Sequence, residues 1–343
     1  MGNFANTYPF LAFGGKIDPI SEIRNGGLLT SGSVFWVKDI SDSDYRTFAD
    51  QVGAANIFTS IQAAIDKCRN DKNDYVFVCP KDSGGAWTTP TVSSAINLNK
   101  KRVHLISVGY GRTAQGYSNT IVDPGTASAT DTSAFKVTAE GCEIAGFRFL
   151  GTSGTTGNGT YAQVVQYGTA SSGTATATWM HDSVVESTQA SGGGAGGTQD
   201  LVAWAKGDGC RFDNVRFVTS TGGNAALNLV NSVLKTELHD CVFNTDAAAT
   251  ANAFIKVGTL SGSYLLCNRC QFVNVDGANL HASGVTGSVA ANLAAVLMAN
   301  CTYTNVTQAG TDPGVFKAPA ESGTAASVRD LGIAVGTAAL TPV

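Results

Sequence analysis

Cys267 and Cys270 stand in the run LLCNRC with two residues between them, a spacing from which zinc and dithiol sites are built. No second CxxC and no nearby histidine pair completes a tetrahedral set. A second grouping is His181-Asp182 with Glu186, beside Asp200 and Asp208. Two carboxylates about 5–9 Å apart can carry acid and base work on a glycosidic bond. The even separation of Asp182 and Glu186 places them on one face if the segment is a strand. The competing reading is a solvated outer face flanking the Gly-rich run SGGGAGGTQ (191–199). Asp131, Glu140, Glu143, Asp208, Asp213, Glu237 and Asp240 mostly precede or fill bends, where carboxylates bond to nearby backbone. The histidines His104, His181, His239 and His281 show no ligand spacing. Trp36, Trp87, Trp179 and Trp204 offer rings for stacking on sugars, although core or interface packing is the commoner use.

The elements that must position these residues repeat. Five segments lie over one another: CEIAGFRF (142–149), CRFDNVRF (210–217), TELHDCVF (236–243), LLCNRCQF (265–272) and VLMANCTY (296–303). Apolar residues recur at steps of two, three and two. A step of two keeps side chains on one strand face, and a step of three turns a corner. The third column holds Phe147, Val215, Cys241, Cys270 and Cys301, and the last holds Phe149, Phe217, Phe243, Phe272 and Tyr303. From Phe217 to Tyr303 the last column advances by 26, 29 and 31 residues. A period of about 20–50 residues signals a solenoid or other repeat array, so the fold class expected is all-β, a parallel β-helix. The ladder makes Cys241, Cys270 and Cys301, like the CxxC pair, buried reduced thiols. No metal and no cofactor is expected.

Composition narrows the function. Gly contributes 40 of 343 residues, above the usual ~7%, and charged residues only 14%, below the usual ~25%. The surface is therefore Ser, Thr, Asn, Gly and Ala, which suits tight turns and broad contacts between subunits. The net charge is −4 and there is no basic run, which argues against nucleic-acid binding. No apolar run approaches the ~20 residues of a membrane span. The beginning MGNFANTYPFLAF lacks a basic segment followed by an apolar one, so no secretory leader is expected.

Residues 1–50 show no clear period and read as an extended arm, with a strand in SGSVFWVKDIS. Its apolar residues Phe4, Tyr8, Phe10, Phe13, Ile17 and Ile20 are the attachment candidates. In FTSIQAAIDKCRN (58–70), Ile61, Ala64, Ile65 and Cys68 form a helical stripe that Thr59 or Ser60 caps. The strand YVFVCP follows at once, as expected of a helix covering the entrance of a solenoid. The expected organisation is an arm at 1–50, a β-helix at 51–306 with one or two coils bearing a lateral insertion at 151–200, and a C-terminal extension at 307–343.

The helix IQAAID, the strand YVFVCP and coils with polar bends followed by x-Phe resemble the pectate-lyase-like superfamily of right-handed parallel β-helices over about residues 58–306. The resemblance implies a single-stranded right-handed solenoid with an N-terminal capping helix. It also brings a catalytic pattern for comparison. Asn244-Thr245-Asp246 matches one element of the polygalacturonase-type set, but Asp-Asp, Gly-His-Gly and Arg-Ile-Lys partners are missing, so no catalytic residue is assigned. With the low charge and the irregular arm, the chain looks most like β-helical proteins of tailed bacteriophage particles. The resemblance then implies a non-enzymatic capsid decoration or cement protein on the virion exterior, a homotrimer partnered by the major capsid protein and by its own copies. The alternative is a tailspike or fibre that binds or cleaves host polysaccharide. The two differ in the walls: a glycan groove gathers acids and aromatics onto one wall, whereas a uniform Ser/Thr/Ala wall suits packing.

Overall fold

In the computed structural model the repeated segments stack into three parallel sheets. The structure describes residues 32–88, 95–109, 120–123, 133, 135–151, 164–168, 175–187, 202–204, 209–219, 226–229, 236–245, 253–257, 264–274, 281–287, 295–304, 306–310 and 333–334. Each coil contributes one strand to each sheet in turn. The coil at Arg211–Asp213, Arg216–Thr219 and Leu227–Leu229 is typical. Coils run from Tyr75–Val78, Trp87–Thr88 and Ile96–Leu98 to Ala295–Ala299, Thr302–Thr304 and Val306–Gly310. Every strand pairs in parallel with its counterpart one coil away. The chain is a parallel β-helix, wound in the right-handed sense that parallel crossovers take.

Burial follows the ladder. Ile144, Phe147, Phe149, Phe212, Phe217, Leu238, Cys241, Phe243, Cys267, Cys270, Phe272 and Cys301 all lie in one continuous apolar core. Phe243 stacks between Phe217 and Phe272, with ring centroids 4.9 and 5.0 Å away. Those distances match the ~4.8 Å spacing of hydrogen-bonded strands, so identical residues one coil apart stack face to face. Tyr303 occupies the same register position beyond Phe272. The eight cysteines are buried thiols, and burial pushes Cys68 up to about 12 and Cys142 up to about 11.

The corner between sheets one and two is a single left-handed residue: Gly146, Asp182, Asn214, Asp240, Arg269 and Asn300 have φ between 50° and 79°. Gly, Asn and Asp tolerate that region best, which is why the second residue of each polar pair is so often one of them. From Gly146 to Arg269 the amide at each corner donates to a carbonyl of the next coil, as Asn214 does to His239 at 2.9 Å and Asp240 to Asn268 at 3.0 Å. Gly146→Val, a β-branched residue at φ 79°, is expected to cost about 1–2 kcal/mol in chemical denaturation.

Several expectations shift. Among the described residues between Phe149 and Phe217 lies one further copy of the ladder, TWMHDSVV, in which Thr178, Met180, Ser183 and Val185 take the inward positions. The region 151–200, read as one or two coils bearing a lateral insertion, contains strands of two regular coils, at Val165–Tyr167, Trp179–His181 and Val184–Ser187. The arm's described part joins the solenoid. Val34–Val37 pairs with Tyr75–Val78, and helix α1, Tyr45–Val52, crosses the boundary drawn at residue 50. At the other end Val306–Gly310 completes the last coil, and Ile333–Ala334 pairs with Thr302 and Tyr303, so the coils pass the boundary drawn at 306. Phe4, Tyr8, Phe10, Phe13, Ile17 and Ile20 lie outside the described residues.

The expected helix is present as α2, Ile61–Lys67, capped by Ser60 Oγ, which accepts from the amide of Ala63 at 3.2 Å. Ile61, Ala64, Ile65 and Cys68 join the main core. Helix α1 instead lies on the outer face of sheet one. Its Phe48 and Val52 pack with Trp36, Tyr75, Phe77, Cys79 and Val108. Covered on both faces, Tyr75–Val78 shows no polar alternation. Beyond α1 the outer face of sheet one is mostly polar, with His104, Glu143, His181, Arg211, Asp213, Glu237, His239 and Asn268 at outward register positions.

Candidate functional site

Strand register builds two outward columns on sheet one. The first reads Tyr75, His104, Glu143, Trp179, Arg211, Glu237 and Leu266. The second, two residues further along each strand, reads Phe77, Ile106, Ala145, His181, Asp213, His239 and Asn268. Three of the four histidines, the three carboxylates Glu143, Asp213 and Glu237 and an exposed tryptophan thus meet on one face, although residues on neighbouring coils are 25 or more positions apart in the chain.

Their side chains form a connected network. The Tyr75 ring stacks on His104 at 4.2 Å. His104 Nδ1 lies 2.5 Å from Glu143 Oε2, and Glu143 Oε1 lies 2.9 Å from His181 Nε2. The other nitrogen of His181, Nδ1, lies 2.7 Å from Asp182 Oδ2. A carboxylate only accepts, so His181 satisfies both neighbours only by donating from both nitrogens, as an imidazolium. Burial lowers its proton affinity, but the hydrogen bonds to Asp182 and Glu143 outweigh this and raise it from 6.5 to about 9. Burial likewise pushes Glu143 up, and the bonds from His104 and His181 prevail, leaving it at about 2.

Trp179 lies over this imidazolium with ring centroids 4.0 Å apart, a cation–π arrangement. Its indole N–H donates to Asp213 Oδ2 at 2.7 Å, and Arg211 Nε donates to the same oxygen at 2.7 Å. Asp213 Oδ1 has no hydrogen-bond partner among the described residues. Asn214 Nδ2 donates to Asp182 Oδ1 at 2.5 Å. Further along, His239 Nε2 meets Glu237 Oε2 at 3.2 Å. With both its ring orientation and its N–H fixed, Trp179 is still 39% exposed, whereas Trp36 and Trp87 are buried.

The sequence grouping of Asp182 with Glu186 does not hold. The chain turns at Asp182, φ 50°, so Asp182 faces sheet one while Glu186 lies on sheet two, held by Arg148 at 2.8 and 3.0 Å. Asp200, Asp208, Asp131 and Asp246 lie outside the described residues. Asn244 and Thr245 belong to the strand Val242–Thr245 rather than to a bend. Asp213, expected in a bend, ends the strand Arg211–Asp213 and faces outward beside Trp179. The signal that could have found this wall is the outward half of the ladder: the residue after Cys142, Cys210 and Thr236 is Glu143, Arg211 and Glu237.

A second acidic group, Asp42, Asp44 and Asp82, has the mutual proximity of metal ligands. Lys38, buried beside it, places its ammonium 3.1 Å from Asp42 and 2.7 Å from Asp44. That cation already meets the charge a metal would neutralise. Among the described residues no helix is long and apolar enough to cross a membrane.

The wall holds its carboxylates against cations, His181 on Glu143 and Arg211 on Asp213. A two-carboxylate glycosidase keeps one acid protonated near neutral pH by raising its proton affinity. Glu143 is moved the opposite way, and Asp213 is held by Arg211. No family model and no curated protein matches the chain. Among solved structures it is similar to a crystal structure of a pectin methylesterase mutant in complex with a hexasaccharide, at 10% identity and a TM-score of 0.40, over 81% of this chain and 80% of that one. The fold assignment stands on the strand order itself.

The His181 network has a pH signature. His181 is raised above 6.5, so its contribution to stability is complete below that value and is lost as the pH rises through about 9. Glu143 is lowered below 4.5, so its contribution is complete above that value and is lost as the pH falls towards about 2. Thermal melts across pH are expected to show a plateau between the two, with an alkaline loss on the order of 2 kcal/mol. His181→Gln should remove that alkaline step; a step of unchanged size would show that another group causes it.

Proposed function

We propose that the protein binds a glycan chain along the outer wall of sheet one, as a fibre or tailspike-type β-helix does, without cleaving it. The observation that supports this most directly is Trp179, exposed yet locked between His181 and Asp213 in a wall of carboxylates, histidines and arginine. A rigid aromatic ring offers a sugar its apolar face at little entropic cost, and fixed carboxylates accept from hydroxyl groups around it. The wall gathers acids from adjacent coils around one exposed aromatic, an arrangement suited to a glycan groove. Helix α1 closes one end of it over Tyr75 and Phe77.

A second reading is the capsid decoration protein, a homotrimer on the virion exterior partnered by the major capsid protein. It draws on the outer face of sheet two, where valines alternate with polar residues in two columns, Val184-Arg216-Val242-Gln271 and Glu186-Val218-Asn244-Val273. Incubating the protein with bacterial surface polysaccharide and with empty phage capsids separates the two. Retention on polysaccharide without release of reducing ends is the expected result. Capsid binding with no retention on polysaccharide would replace this reading with the second, and released reducing ends would show an enzyme.

A further inference from the structure

We propose that the glycan held by this wall is an uncharged one. The inference rests on the binding function proposed above and concerns its substrate class. The wall and its bordering corner carry four carboxylates, Glu143, Asp182, Asp213 and Glu237. The facing cations are each already bound by one of them. Arg211 is on Asp213, and His181 spans Glu143 and Asp182. His104 and His239 also face wall carboxylates, Glu143 and Glu237. Even with all three histidines charged, the wall reaches neutrality and no further. At the adjoining corner Arg269 is bound by Asp240, which cancels. Of the remaining nearby arginines, Arg148 is bound by Glu186 on sheet two.

A polymer with an acid on each sugar would therefore run past fixed carboxylates with no uncommitted cation among the described wall residues, and like charges brought together cost binding energy. An uncharged polymer meets a matched surface. Its apolar ring face can rest on Trp179, and its hydroxyls can donate to the carboxylates, which have spare acceptor positions. Asp213 Oδ1 is buried, and the partly exposed carboxylates of Asp182 and Glu237 are the ones a hydroxyl can reach.

The test is affinity electrophoresis of the full chain and of Trp179→Ala through gels containing dextran, mannan or galactan, and through gels containing polygalacturonate or alginate, at low and high salt. Retardation by an uncharged polymer, weakened roughly thirtyfold in Trp179→Ala and insensitive to salt, is the expected result. Trp179-dependent retardation by the polyuronates alone, lost at high salt, would overturn the inference while leaving the binding face in place. Retardation by none of the polymers, or equal retardation of the variant, would overturn the binding function and this inference with it.

Discussion

Phe243→Asp is expected to abolish the cooperative melt of the solenoid. Phe243 is fully buried, its ring parallel to those of Phe217 and Phe272 and tilted against Phe254. Removing the ring alone costs about 3–5 kcal/mol. Placing a carboxylate in the same space adds several kcal/mol of desolvation with no cation to meet it. Together these rival the whole stability of a domain, about 5–15 kcal/mol. In a solenoid each coil touches only its neighbours, so the damage has a direction. The coils before Phe217 keep their contacts, and those from Leu265 onward lose their template. A protease-resistant N-terminal fragment is the expected remnant. Phe243→Leu, which keeps the volume apolar, should lose about 1–2 kcal/mol and remain folded. A melt of Phe243→Asp close to the wild type would mean that the aromatic column does not face the core.

Trp179→Ala is expected to act in the opposite way, with a small change in stability and a large one in binding. The ring is partly exposed, so the apolar area it buries is limited. In the proposed complex it is the anchor around which the carboxylates act, and buried aromatic anchors carry about 2 kcal/mol or more each. That corresponds to a loss in affinity of roughly thirtyfold. Trp179→Phe keeps a stacking ring but cannot donate to Asp213, and should fall between the two. The paired measurements of melting and affinity separate a binding role from a structural one.

The fold was legible because burial imposes a strong pattern. Phe, Cys and Leu at inward positions, with Gly, Asn or Asp at the left-handed corner, mark a coil in any short window. The copy TWMHDSVV stands out least, as a strand-like run without the ladder's residue types, because Thr178, Ser183 and Val185 fill inward positions that Cys and Phe fill elsewhere. The wall was illegible for a different reason. Outward residues are free to vary, and their neighbours are set by coil lengths that differ. His104 meets Glu143 39 residues on, and Glu143 meets His181 38 residues on. No fixed motif spacing captures such a pair. Register does, and register needs the full set of inward columns, including the copy that carries Trp179. The grouping of Asp182 with Glu186 failed because alternation holds only within one strand, and Asp182 is the corner between two.

The most direct measurement of the central claim is a tryptophan-fluorescence titration with whichever polymer retards the protein most strongly. It should be carried out on the wild type, on Trp179→Phe and on the sheet-two variant Glu186→Gln. If the outer wall of sheet one is the binding face, the wild type and Glu186→Gln give the same saturable change, and Trp179→Phe gives none. An undiminished signal in Trp179→Phe, or a signal lost only in Glu186→Gln, would place the ligand elsewhere and contradict the assignment.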